Sequence, residues 1–347
     1  MATDTQLMAL GESVDRFLSI DITGRGIVRQ LYAAAREKQE GPLSFLAARA
    51  LLNRVGPRDV VLISTGMPVG PWQMGEQDGP VGAATLARSL VLGLGAKPLI
   101  LTEAKLVETV TATVRAAGLH VFPLEQALQY PTATAVLPFP LDVDEAPRVA
   151  TELLDRLHPQ ALVAIERAGA NEYGVYHRAL GASLTAHTSK QDVLFEQARA
   201  RGILTIAIGD GGNELGCGLI KETVLEVVPI AARCRCPCGG TVVPVFIPDI
   251  LIVSAISNWG VYGIEACLSA ALARREILHD RDVDLRVHVA CAAAGGDNDG
   301  PRLLDPGSDA VPAPIHGHIL EILALMAENS TEPGGLYRSA RWPWLDR

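Results

Sequence analysis

Short, unbroken apolar runs recur along this chain, and stretches with helical spacing separate them. DVVLIST (59–65), KPLILTE (97–103), QALVAIE (160–166), ILTIAIG (203–209) and DILIVSAIS (249–257) are rich in Val, Ile and Leu without polar alternation. A strand with one solvated face alternates apolar and polar residues, so runs of this kind belong to strands covered on both faces. Between them, GPVGAATLARSLVLGLG (79–95), EAPRVATELLDRLH (145–158) and SKQDVLFEQARARG (189–202) carry helical periodicity. Pro80 marks a helix start, and Gly95 and Gly202 mark helix ends. A further helix runs from the second strand to about Ala117, another spans about Tyr262 to Arg275, and HGHILEILALMAEN (316–329) closes the set. HVFPL (120–124) and TAVLPFP (134–140) are weaker strand candidates, and LRVHVACA (285–292) is expected to be the last strand. The pattern predicts a layered α/β/α architecture with a mostly parallel sheet and a ligand site at the carboxyl ends of the strands. Residues 1–55 are expected to form a helical segment packed on the core, 56–332 the α/β domain, and 333–347 a C-terminal arm with Trp342 and Trp344.

Composition narrows the function classes. The net charge is −9 and the Lys and Arg residues are scattered, which argues against nucleic acid as a partner. The longest weakly charged stretch, Thr241 to Ile264, is broken by Pro244, Pro248, Asp249 and Asn258, so no membrane span is expected. MATDTQLMALGESVDRF lacks the basic-then-apolar order of a signal peptide, and a cytoplasmic location is expected. Six cysteines in 347 residues do not form a disulfide scaffold. Three of them lie in RCRCPCGG. That run is read as a turn carrying cysteines rather than half a zinc site, because four ligands are usual and no C-x-x-C partner or paired His lies elsewhere. A small molecule is the expected partner, and homo-oligomerisation is left open.

Polar residues gather just after the apolar runs, in STGMPVG, LTEA, AIERAG, IGDGGNELG, AISNWG and AAAGGDNDG. The glycine-rich stretch fails the G-x-G-x-x-G test because Glu214 stands at the last glycine place, and it fails the P-loop test because Cys217 follows Gly216. Acids grouped in this way suit a hard divalent cation, Mn2+ or Mg2+, bound through oxygen. Asp210 and Glu214 are four apart, so a helical turn would face both toward one ion. Asp78, Glu166, Asp297 and Asp299 are further candidates, against the plainer alternative that an Asp after a strand caps the next helix. His177, His187, His316 and His318 are read as structural or solvated, His177 being notable for following Glu166 closely. No G-x-S-x-G elbow supports a serine hydrolase.

IERAGANEYGVYH, IGDGGNELGCG and SNWGVYG, with STG and DGPVGA upstream, resemble the C-terminal domain of the D-glutamate cyclase family, over about Val60 to Gly300 and in the family's motif order. The resemblance implies an α/β fold and a carbon–oxygen lyase that cyclises D-glutamate, or a related amino acid, to 5-oxo-D-proline with loss of water. It also implies a divalent cation, Mn2+ or Mg2+. Thr65 and Gly66 match the family's first strand-end loop, and Asp78 and Gly79 its DGP element. Glu166, Arg167 and Gly169 match ERxG, Asp210, Gly211, Gly212, Asn213 and Glu214 match GDGGNE, and Ser257, Asn258, Trp259 and Gly260 match SNWG. The chain departs from the family where ETDGP reads Glu76-Gln77-Asp78, where Cys217 replaces Met, and where SDAVPAP replaces a C-terminal Asp-Gly element. The animal version of the family carries another domain ahead of this one, which the chain is expected to lack.

On this reading Asp78, Glu166, Asp210, Glu214 and Asp299 are the metal-ligand candidates, and Glu166, Arg167, Asp210 and Glu214 the catalytic ones. Glu166 would take the ammonium proton, and Arg167 would clamp the α-carboxylate or else pair with a neighbouring acid. Thr65, Gly66, Gly211, Gly212, Asn213, Ser257, Asn258 and Trp259 would contact substrate, Trp259 alternatively serving as packing. Two rival functions use the same residues: a metal-dependent phosphohydrolase, and a non-catalytic module that binds a small anion.

Overall fold

The computed structural model describes residues 3–69, 74–298 and 303–331. Its central sheet contains β1 (Val60–Thr65), β2 (Lys97–Thr102), β3 (Val136–Pro138), β4 (Ala161–Ile165), β5 (Leu204–Gly209) and β6 (Ile250–Val253). The strands are all parallel, in the order β6-β5-β4-β1-β2-β3. Every residue of β1, β2, β4, β5 and β6 is buried, which accounts for the unbroken apolar runs; β3, at the edge, is partly exposed.

The helices are α1 (Asp4–Leu18), α2 (Val28–Lys38), α3 (Leu43–Arg54), α4 (Pro80–Leu94), α5 (Val107–Ala116), α6 (Leu124–Gln129), α7 (Ala146–Leu157), α8 (Gln191–Ala200), α9 (Lys221–Val227), α10 (Ser257–Leu272), α11 (Arg281–Ala293) and α12 (Ala313–Thr331). The chain steps outward from β1 to β3, then returns past β1 and steps the other way from β4 to β6. Right-handed crossovers then place α4 and α5 on one face and α7 and α8 on the other. The packing agrees: α4 touches α5 and α10, and α7 touches α8. The direction reverses between β1 and β4, so their outgoing chains part to opposite faces and open a crevice at the carboxyl ends. The N-terminal helices add to this layer. α1 and α3 pack on α10, and Leu7, Leu10, Val14 and Leu18 are buried in the same apolar cluster as the sheet.

Two expected elements change. LRVHVACA is not a strand but lies inside α11. Its apparent alternation is overridden by burial of Val283, Val287 and Cys291 at helical spacing, behind an Asp280 side chain that caps the N–H groups of Asp282 and Val283. The helix expected from Tyr262 begins at Ser257, so SNWG is its first turn rather than a loop before it. HVFPL is extended only at His120–Val121 before turning into α6. The arm at 333–347 lies outside the described residues. Among the described residues no helix is long and apolar enough to cross a membrane.

Behind the sheet's carboxyl rim, a buried polar network ties α10 to α11 and α12. Trp259 Nε1 donates to His316 Nδ1 at 2.9 Å, which leaves His316 Nε2 to donate to the Val311 carbonyl at 3.1 Å. That geometry requires a neutral ring, and burial pushes its pKa down to about 3. Tyr262 donates to Asp284 at 2.6 Å, and His279 lies between Glu265 (2.5 Å) and Asp284 (3.2 Å). Burial alone would lower the His279 pKa, but the two carboxylates outweigh it and raise it from 6.5 to about 9. The folded protein therefore holds a proton that the unfolded chain releases between these values. This contribution is complete below pH 6.5 and is lost as pH rises through about 9, up to about 3 kcal/mol in all. The melting temperature should fall across that window, and His279→Gln should flatten the dependence while lowering stability at pH 6.5.

Candidate active site

The site begins at the ends of β1, β4 and β5. Glu166 directly follows β4 and holds a left-handed φ of 44°, a conformation that costs a non-glycine residue about 1 kcal/mol or more and recurs at functional positions. Its Oε2 accepts a hydrogen bond from Ser257 Oγ at 2.6 Å. Asp210 follows β5, and Asp78 precedes α4. One carboxylate oxygen from each of Asp78, Glu166 and Asp210 lies within 4.8 Å of the other two, and all three residues are buried.

Asp78 and Asn258 lock the two helices that border the crevice. Asp78 Oδ1 accepts from Asn258 N (2.7 Å) and Gly79 N (3.1 Å), and its Oδ2 accepts from Ser257 N (2.8 Å), capping α10. In return Asn258 Oδ1 accepts from Gly79 N (2.9 Å) and Gly82 N (2.7 Å), capping α4. The contact is so close that a Cβ on Gly79, whose φ is +91°, would meet Thr65 Oγ1 at 2.7 Å and the Ile165 carbonyl at 2.9 Å. Asp78 is thus both a helix cap and a member of the acid cluster.

The glycine loop after β5 does not form the helical turn expected from the Asp210/Glu214 spacing. Glu214 instead folds back, its two oxygens accepting from Gly211 N and Gly212 N at 2.7 Å each. Gly212 has a φ of +96° and a Cβ there would press on Val224 at 2.6 Å. Glu214 faces the same cavity as Glu166 and Asp210 but is outside the close trio. That cavity measures about 250 Å3, near the lower end of small-molecule sites at ~300 Å3.

Acids dominate its lining: Glu76, Glu166, Asp210, Glu214 and Asp309, with Asp78 alongside, against the two cations Arg25 and Arg178. Burial first, and Asp210 second, push the pKa of Asp78, Glu166 and Glu214 upward; the same causes act on Asp309. Arg25 Nη1 lies 2.9 Å from Asp210 Oδ1 and its Nη2 lies 3.4 Å from Asp309 Oδ2, while Nη2 also donates to the Ala255 carbonyl at 2.7 Å. Asp210 Oδ2 is buried without a hydrogen-bond partner. An unpartnered oxygen beside two more buried carboxylates fits a hard divalent cation, with Asp78, Glu166 and Asp210 as the residues to hold it.

Arg167 is paired with a neighbouring acid, one of the two expected arrangements. Its guanidinium is fully buried and forms two contacts with Glu103, at 2.9 and 2.5 Å. It also donates to the carbonyls of Gly66 (2.5 Å) and Ser189 (2.8 Å), so it braces strand ends beneath the cavity. Trp259 likewise packs, bonded to His316. Asn213 lines the cavity, its Nδ2 donating to the His177 carbonyl at 3.2 Å. Thr65 Oγ1 is buried without a partner. Asp297 forms a backbone bridge with Glu76 at the edge of the cluster, and Asp299 lies outside the described residues.

Sequence reasoning missed Arg25, Glu76, Arg178 and Asp309. Arg25 comes from the turn DITGRG, held by Asp21, whose carboxylate accepts from Arg25 N and Gly26 N. Asp309 sits within SDAVPAP, the stretch noted above as replacing a family Asp-Gly. It supplies the acid there, and Asp309 and Ala310 both take left-handed φ values, 53° and 60°, where glycine would be relaxed.

The family model for the domain described as "D-glutamate cyclase-like, C-terminal" matches residues 14–321. This chain belongs to that family. Among curated proteins, "D-glutamate cyclase, mitochondrial" from Homo sapiens is 28% identical over 264 residues. The alignment covers 74% of this chain and 38% of that relative, so the chain spans well under half of the relative's length.

Removing one partner of a buried ion pair strands the other, at a typical cost of about 3–5 kcal/mol. Arg167→Met should lower the denaturant midpoint accordingly, and Glu103→Gln, which retains hydrogen-bonding capacity, should lower it less.

Proposed function

We propose that this protein is a divalent-metal-dependent lyase that cyclises D-glutamate, or a closely related amino acid, to 5-oxo-D-proline and water. The observation that carries this reading is the buried Asp78–Glu166–Asp210 trio beside a small acid-lined cavity, in a chain of the D-glutamate cyclase-like family. Closing the ring joins two groups of one molecule, so holding the substrate folded supplies much of the rate. A cavity of about 250 Å3 has room for a five-carbon amino acid.

In this reaction the substrate nitrogen gives up two protons and the departing oxygen takes two. The site therefore has to move protons, with no net acid or base consumed. Glu214 and Glu166 are the carboxyls placed for that work, because both face the cavity. The Ser257 hydroxyl orients Glu166. Arg25 and Arg178, on the cavity wall, take the substrate α-carboxylate in place of the inward-turned Arg167. The Asn213 side chain and the glycine loop border the reacting carboxyl. A divalent ion on Asp78, Glu166 and Asp210 would polarise that carboxyl and offset the charge that develops on it. The excess of acids over cations in the lining speaks against a module that binds small anions by itself.

Purified protein incubated with D- and L-glutamate, with and without Mn2+ or Mg2+, tests the proposal. The expected product is 5-oxoproline from the D-isomer with metal only. Asp210→Asn should reduce kcat by about 100-fold or more, in the range of lost electrostatic or acid–base groups. Release of phosphate from esters without any 5-oxoproline would select the phosphohydrolase instead. Arg25→Met should act mainly on KM.

Metal also has a signature in stability. Mn2+ at about 100 times its Kd should stabilise the wild type by about 2.7 kcal/mol, a rise of several degrees in melting temperature. Glu166→Gln should abolish that rise while leaving the metal-free protein as stable or more so, because it removes one of several crowded carboxyls.

A further inference from the structure

The cysteine run set aside in the sequence acquires a fourth member in the fold. Cys234, Cys236 and Cys238 bring their sulfurs together at 3.3, 3.4 and 3.3 Å, and His177, fifty-nine residues from Cys236, points its Nε2 at them, 3.3 Å from Cys236 and 3.6 Å from Cys238. We propose that these four residues form a structural zinc site that fastens the wall of the candidate active site.

The spacing supports a metal rather than a disulfide. A covalent pair requires about 2.05 Å between sulfurs, and the cysteines are free. Tetrahedral zinc with Zn–S bonds of about 2.3 Å separates its sulfurs by about 3.8 Å, so each needs to move out by only a few tenths of an ångström to take the ion. Three sulfurs and an imidazole form a complete Cys3His set, closed to substrate, and soft thiolates with one nitrogen favour zinc over Mn2+ or Mg2+. Donors are already aimed at one sulfur: Gly240 N lies 3.5 Å and Asn171 Nδ2 3.8 Å from Cys238 Sγ. Such N–H groups stabilise a thiolate ligand. The knuckle itself is closed by Cys234 N donating to the Gly240 carbonyl at 2.9 Å, around Gly239 at φ +65°.

The location explains what the site does. The chain between α9 and β6, residues 228–249, has no helix or strand of its own to hold it. Zinc would tie it to the segment after β4. In that segment His177 is followed at once by Arg178, Ala179 and Leu180, which line the cavity, and its carbonyl receives Asn213 of the glycine loop. The ion would be held one residue along the chain from Arg178 of the cavity wall.

The test reads metal content and coordination, independently of turnover. Protein purified without chelator should carry one zinc per chain, released in step with three thiols by a mercurial reagent. Co2+ added to the stripped protein should give the absorption of tetrahedral thiolate coordination. Cys236→Ser and His177→Gln should lose zinc, whereas Cys267→Ala, in the apolar core, should keep it. Trypsin should cut at the exposed Arg233 or Arg235 after zinc removal and not before. The proposal is overturned if the wild-type protein holds no zinc and yields no thiolate–Co2+ spectrum with its thiols reduced, or if two of the three cysteines prove to be a disulfide.

Discussion

Carboxylates repel one another and resist burial, yet three of them meet within 4.8 Å at the rim of this sheet. Nearly every feature around them answers that repulsion. Asp78 receives three backbone N–H groups, Glu214 two, Glu166 a serine hydroxyl, and Asp210 a guanidinium. These donors come from both helix N-termini and the glycine loop, so the local backbone is shaped around charge rather than around an apolar filling. The compensation is partial, and the pKa values of Asp78, Glu166 and Glu214 remain raised.

The frame that holds this arrangement is rigid for a topological reason. The strand order reverses between β1 and β4, and the acids stand on the chains leaving that reversal or its neighbour β5. Reciprocal capping by Asp78 and Asn258 then makes the N-termini of α4 and α10 a single unit. Beneath it, Arg167 and Glu103 join the ends of β1, β2 and β4 to the Ser189 loop. Glu166 keeps its left-handed backbone only because this surround determines it from several sides.

The sheet was legible because parallel strands buried on both faces leave unbroken Val, Ile and Leu runs, and Glu166 and Asp210 were legible because they follow those runs directly, whereas Asp78 stands just ahead of α4. LRVHVACA misled because its Leu, Val, Val and Cys alternate in sequence while a helix buries only every third or fourth position. Glu214 was found but its geometry was not, since spacing along a chain does not distinguish a helical turn from a loop folding back on itself. Arg25 and Asp309 could not be tied to Asp210 by any local pattern: 185 residues separate Arg25 from Asp210. His177 and the cysteine run show the same limit, because a ligand set completed across 59 residues has no periodicity to announce it.

Arg25 has one further implication. It is a resident counter-ion from the N-terminal region that already neutralises Asp210. A cation at the unpartnered Oδ2 would share Asp210 with Arg25 on Oδ1, so the affinity of the site would reflect two attractions rather than one. A counter-ion built into the chain would raise the ion concentration needed for half-occupancy, and it holds the acids together before any ion arrives.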